Sequence, residues 1–271
     1  MEACRIAGLS CRGTIDEPTA AAYAYGLHQV QGQPKNVVVF HLGGGTLDIS
    51  VLRAQDGAIS ATARRADERL GGRQIDKLLT EHCMADFKTK SAVDISGDKS
   101  AMARLRRHCS GAKHALSEAE STNFSIERLA EGKDYSKTIT REELDALCEP
   151  LFQRCMPLLT QALADASLSK EQIDQVVVVG GSARMPRVQQ ILCKFFGLAT
   201  LNMQHKPEEA AAYGAAVQAG ILSRKAVQSD SGKKRLRVDL KNKLNPSADS
   251  ARLDSGKAQI GANATKFAGA A

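Results

Sequence analysis

Three consecutive glycines, Gly43-Gly44-Gly45, stand between two apolar, β-branched runs, and Thr46 and Asp48 follow at once. Val, Ile and Phe on either side predict a pair of strands, with the glycines as the tight turn between them. Without side chains on the turn, its backbone N–H groups lie bare. Donors presented that way form a nest for an anion, phosphate being the usual guest. Thr46 adds a hydroxyl and Asp48 a carboxylate beside a metal-bound phosphate. A glycine-rich hairpin that binds nothing has the same local pattern, so the turn alone does not decide the chemistry.

A second motif points the same way. Gln175-Val-Val-Val-Val-Gly-Gly-Ser-Ala-Arg-Met-Pro186 is an unbroken apolar run, a glycine pair and then a helix start. A continuous Val run suits a strand buried on both faces. Pro186 falls in the first helical turn, where its missing N–H costs nothing. A strand–Gly-Gly–helix crossing lets a flat ring approach bare backbone at the carboxyl end of a strand, the usual ligand position in open α/β sheets. Neither G-x-x-x-x-G-K-[ST] nor G-x-G-x-x-G occurs.

Further elements must position these residues. A third strand is expected around Ala58–Ala63. Gly71-Gly72 opens a helix with Ile75, Leu78, Leu79, Cys83 and Phe87 on one face. A helix over Lys99–Ser117 carries Leu105, Cys109, Ala112 and Leu116 as its apolar stripe. Ser110, Lys113, His114 and Ser117 fall at i, i+3, i+4 and i+7 on the opposite face. Asn123–Leu129 and Tyr135–Ile139 predict short strands. Thr140-Arg-Glu-Glu143 is a capping box opening a long helix towards Asp165, expected to bend or break at Pro150 and Pro157. An Ala-rich helix follows Pro18, and another spans Pro207–Leu222.

Composition narrows the class. The 271 residues include seven cysteines, odd in number, scattered and without C-x-x-C, which predicts free thiols in a reducing compartment. The His and Cys residues near 82, 83, 108, 109 and 114 lack zinc-ligand spacing. No G-x-S-x-G or Cys–His–Asn signature marks a hydrolase. No window approaches 18 apolar residues and no signal peptide opens the chain, so a membrane partner is not expected and the protein is expected to be cytoplasmic. The net charge of +7 is concentrated late: residues 224–243 carry eight Lys/Arg against two acids. Lys233–Arg237 could serve nuclear import, but nucleic acid is not an expected partner. A Ser/Gly/Ala-rich, basic 223–271 tail is expected to be disordered.

Taken in order, five segments resemble the nucleotide-binding domain of the 70-kilodalton heat-shock chaperone family. They are Ile15-Asp-Glu-Pro-Thr-Ala-Ala-Ala-Tyr-Ala-Tyr-Gly26, Leu42–Thr46, Leu70-Gly-Gly72, Val179–Pro186 and Ala212-Tyr-Gly-Ala-Ala-Val-Gln-Ala219. The resemblance runs from about Glu2 to Leu222. It implies an α/β fold, an actin-like, ribonuclease-H-like ATPase half-domain (lobe II) with an inserted α+β subdomain. Residues 1–29 would be a remnant of lobe I that exposes an apolar face. Residues 30–69 and 148–222 would form the larger lobe II subdomain, and 70–147 the smaller one. The family's first phosphate loop, a metal-holding Asp and a catalytic Lys have no counterpart in the chain, which reads as a truncated domain.

The resemblance also implies a site for ATP or ADP with Mg²⁺. Gly43, Gly44, Gly45 and Thr46 match the second phosphate loop, and Asp48 a carboxylate of the metal shell. Glu17 matches the Glu that helps position metal-bound waters. Gly72, Lys113, Ser117, Gly180, Gly181, Ser182 and Arg184 match adenosine-side positions, and Glu208 stands where the family has Asp. Departures are Ser110 for Glu, His114 for Arg and Ala183 for Thr. The weightiest is His41, where the family has a metal-shell Asp. Mg²⁺ prefers hard oxygen donors, and imidazole offers one softer nitrogen. Loss of one such group typically costs about 2.7–4 kcal/mol of transition-state stabilisation. The expected function is a chaperone ATPase-domain fragment, concerned with protein folding and stress, that binds nucleotide but hydrolyses it poorly. The alternatives are a non-catalytic module for nucleotide-exchange factors, J-domain co-chaperones or a full-length relative, and a degenerate gene product.

Overall fold

The computed structural model describes residues 1–9, 11 and 13–228, in two units, 1–218 and the remainder from 219. Among the described residues the elements run α1 Glu2–Ile6, α2 Glu17–Ala24, β1 Lys35–Leu42, β2 Leu47–Gln55 and β3 Ala58–Asp67. They continue with α3 Gly72–Ser91, α4 Lys99–Ala115, β4 Ser121–Ala130, β5 Lys133–Thr140 and α5 Arg141–Asp165. β6 Gln175–Val179, α6 Pro186–Phe196 and α7 Ala210–Gln228 complete the order. The basic segment Lys233–Arg237 and most of the expected tail lie outside the described residues. The helix α7 carries regular structure six residues past Leu222, into the segment expected as tail.

A four-stranded mixed sheet has the order β3-β2-β1-β6. The strands β1, β2 and β3 form antiparallel pairs, and β6 lies parallel to β1 with His41 opposite Val179. Alternation along β1 divides the core in two. Val38 and Phe40 enter the larger cluster with the α3, α4 and α5 side chains. Val37 and Val39 face the other way, into a smaller cluster with Ala21, Ala22, Leu27 and Ala210. The sheet is thus covered on both faces, as the Val run of β6 requires. A separate hairpin, β4-β5, packs against α4 and α3.

Three local expectations are revised. The helix α2 does not expose an apolar face: Ala20, Ala21, Ala22 and Ala24 are buried. Its backbone meets α7 so closely that a Cβ on Gly214 would overlap the Ala20 carbonyl. Exposed apolar side chains occur instead in the first nine residues, at Met1, Ile6 and Leu9. The helix α5 runs unbroken through Pro150 and Pro157. A proline inside a helix costs about 3 kcal/mol, and seven buried side chains along this helix, from Leu144 to Leu163, outweigh it. The capping box at its start is half formed. Thr140 accepts from the Glu143 amide, but the Glu143 carboxylate turns to His82 and Lys137 instead.

Candidate functional site

The site forms at the carboxyl ends of β1 and β6. His41 and Asp48 are direct cross-strand neighbours at the end of the β1–β2 ladder, and the Gly43–Thr46 turn projects beyond them. The Gly43 amide donates to the Thr46 carbonyl at 2.9 Å and closes the turn. Two turn carbonyls are then tied to the start of α3: Gly72 N donates to Gly43 O at 3.0 Å and Arg73 N to Gly44 O at 2.7 Å. The amides of Gly44, Gly45 and Thr46 donate to no backbone carbonyl, which leaves the bare donor set that the triple glycine predicts.

Close approach explains the glycines around the turn. A Cβ on Gly71 would stand 2.8 Å from backbone atoms of Gly45, and one on Gly72 would stand 2.6 Å from Ser182 Oγ and 3.1 Å from Lys113 Nζ. Gly180 has φ +91°, and a Cβ there would overlap the Leu42 carbonyl oxygen. Ser182 Oγ donates to Gly43 O at 2.9 Å, and Gly180 N donates to Pro207 O at 2.8 Å. The structure therefore gathers the triglycine turn, Gly72, Lys113, Gly180 and Ser182 into one cradle. Gly181 has open space on its Cβ side.

The polar face read on α4 divides. Lys113 turns inward and is buried, 2.8 Å from Asp76 Oδ1 and donating to Gly72 O at 3.2 Å. The Asp76 contact is an ion pair without hydrogen-bond alignment. His114 stays exposed, and Ser117 reaches only the Lys113 carbonyl, at 3.5 Å. On the other side of the cradle Arg184 and Glu208 form a bidentate pair at 2.9 and 2.6 Å. Burial pushes the Glu208 carboxyl up, but the Arg184 guanidinium prevails and holds it below the usual carboxylate range. A contact of 4.0 Å from Arg184 to Glu118 links this pair to the end of α4.

The carboxylates beside the turn are already engaged. Arg64 donates to Asp48 Oδ1 at 2.6 Å, and Thr46 Oγ1 to Asp48 Oδ2 at 3.3 Å. His41, on the α2 side of the sheet with Val37 and Val39, places Nδ1 3.1 Å from Glu17 Oε2. Hydrated Mg²⁺ needs oxygen acceptors facing a common point. Here one expected acceptor is an imidazole, one is held by a guanidinium and one faces the imidazole. Among the described residues, no three of His, Cys, Asp and Glu converge as a metal set. These residues do not fit a divalent cation.

Sequence reasoning missed Arg64, Arg73 and Asp76. Arg64 was findable, since β3 alternation and the pairing of Asp48 with Ala66 place it diagonally across from Asp48. Arg73 and Asp76 needed the closure of α3 onto the turn. A separate groove of about 710 Å³, lined by Glu120, Arg141, Asp145, Glu149, Arg187 and Gln190, shares no residue with the cradle. Its Glu149 is already bound by Arg187 at 2.8 Å.

A mixed sheet covered on both faces, with a triglycine turn and a Gly-Gly crossing at adjacent strand ends, defines a mixed α/β half-domain of the actin-like ATPase class. The Hsp70 protein family profile matches residues 1–231, and the chain belongs to the Hsp70 family. It is 43% identical over 226 residues to a heat shock protein of the SSB type from Pyricularia oryzae, covering 83% of this chain and 37% of that protein. It is also 43% identical over 218 residues to the heat shock 70 kDa protein 2 of Paracoccidioides lutzii, covering 80% of this chain and 33% of that protein. The chain thus spans about a third of the length of these relatives.

Proposed function

We propose that this Hsp70-family segment binds adenine nucleotide, ATP or ADP, in the cradle and hydrolyses it poorly. One observation carries the reading: the Gly43–Thr46 turn, Gly72, Lys113, Gly180 and Ser182 converge, with glycine wherever a Cβ would block the approach. The bare amides of Gly44, Gly45 and Thr46 suit the phosphates, Gly181 offers open backbone to the base, and Lys113 suits the ribose. Ser117, Arg184 and Glu208 would border the adenosine. Glu17, Thr46 and Asp48 would stand nearest the terminal phosphate. Poor hydrolysis follows from His41 in place of a carboxylate and from the hold of Arg64 on Asp48.

Thermal unfolding with and without ADP tests this. Ligand at a hundred times its Kd stabilises by about 2.7 kcal/mol, so a clear rise in Tm is expected, with phosphate release from ATP no faster than in a protein-free control. A folded sample that ADP fails to stabilise would contradict the reading. It would favour the second one, a non-catalytic module docking nucleotide-exchange factors or J-domain co-chaperones.

A further inference from the structure

The misfit between this site and a divalent cation has a counterpart on the same turn. Arg73, the second residue of α3, lays its guanidinium along the side-chain face of Gly44 and Gly45. A Cβ on Gly45 would lie 3.7 Å from its Cζ and Nη2, and one on Gly44 would lie 3.9 Å from its Nε. Arg73 is exposed and, among the described residues, forms no ion pair. A cation thus lies against the turn whose amides suit a phosphate. Arg64, on the edge strand β3, occupies Asp48, and the hydrogen bond to Asp48 holds the Arg64 guanidinium above its ordinary pKa. His41 fills a third position with a nitrogen rather than an oxygen.

We propose that this chain binds the diphosphate of a nucleotide without a divalent cation, the Arg73 guanidinium standing where a metal would neutralise the phosphate charge. The proposal rests on the nucleotide-binding reading above. Arg is suited to the task because its planar fork donates to two phosphate oxygens at once and its charge is permanent. The bare amides of Gly44, Gly45 and Thr46 supply further donors to the same group. Arg64 contributes by neutralising Asp48, whose free carboxylate would otherwise repel an uncomplexed phosphate. The site keeps its anion donors and exchanges its metal for protein cations.

Equilibrium dialysis of the 271-residue chain against labelled ADP, in EDTA and in millimolar Mg²⁺, tests this. The expected result is an equal or tighter Kd in EDTA. Arg73→Ala should weaken binding in EDTA by about tenfold or more, the loss of a charged hydrogen-bonding group. Arg73→Lys should recover only part of it. Arg73 is exposed, so its replacement leaves the core intact, and circular dichroism of each variant checks this. Binding that appears only with Mg²⁺, or that Arg73→Ala leaves unchanged in EDTA, would overturn the proposal and leave the nucleotide site standing. No ADP binding under either condition would overturn both.

Discussion

Lys113 Nζ lies 2.8 Å from Asp76 Oδ1, and only 8% of the Lys113 side chain is exposed. An ammonium on α4 is thereby held against the first turn of α3, beside Gly72. Removing the carboxylate would strand a buried charge. Breaking such a pair from one side typically costs about 3–5 kcal/mol, whereas replacing both members with apolar groups is often tolerated. Asp76→Asn is therefore expected to lose about 3 kcal/mol in urea unfolding, and Lys113→Met with Asp76→Leu much less. Equal losses would show that the pair is not the feature holding α3 and α4 together.

The glycines of the cradle are expected to rank by what a Cβ would meet. Gly181→Ala meets nothing within 4 Å and should be close to neutral. Gly72→Ala pushes Ser182 Oγ from its bond to Gly43, at a cost of about 1 kcal/mol, and should weaken ADP binding. Gly71→Ala and Gly180→Ala collide with backbone, which cannot swing aside, and should cost about 2 kcal/mol or more. Urea midpoints of the four variants give the order directly.

Acid should unfold the protein through a few carboxylates. At Asp86 and Glu143 burial pushes the carboxyl up, but Lys90, Tyr135 and Lys137 around Asp86, and Lys137 and His82 around Glu143, bring both below their ordinary values. Glu208 follows the same rule through Arg184, and Asp67 through the Arg69 amide and Arg154. A folded pKa below the unfolded one means stability fully present above the unfolded value and lost as pH falls through the folded one. Tm should hold down to about pH 5 and decline below about pH 4. A Tm that stays flat to about pH 3 would contradict this.

Thiol reactivity should divide the cysteines three against four. Cys4, Cys11 and Cys193 are half-exposed, while Cys83, Cys109, Cys148 and Cys155 are buried. Burial pushes the Cys148 and Cys155 thiols up to about 12, and the hydrogen bond with Cys83 pushes Cys109 up as well. Three thiols should react with an aromatic disulfide reagent in the native protein and four more only in denaturant. Fast native labelling of a fourth would show that the α3–α4–α5 core opens.

The parts of this molecule that residue type alone dictates were legible in the sequence. Gly43–Gly45 could only be a turn between two β-branched runs, and Val176–Val179 before Gly180 could only end a buried strand. What the sequence hid depends on where chains meet. Lys113 reads as one of four polar residues on the helix face opposite the apolar stripe. The structure buries it because Asp76, on another helix, supplies a charge there. Arg73 reads as an ordinary first-turn residue until α3 closes over Gly44 and Gly45. Pro150 and Pro157 read as breaks because local propensity opposes them, and tertiary packing of α5 overrides that preference.

Nucleotide binding itself is best decided by isothermal titration of the purified 271-residue chain with ADP. Heat should saturate at micromolar to low-millimolar ligand with one site per chain, and Gly72→Ala should abolish or strongly reduce it. A folded sample that gives no heat across that range would contradict the nucleotide site.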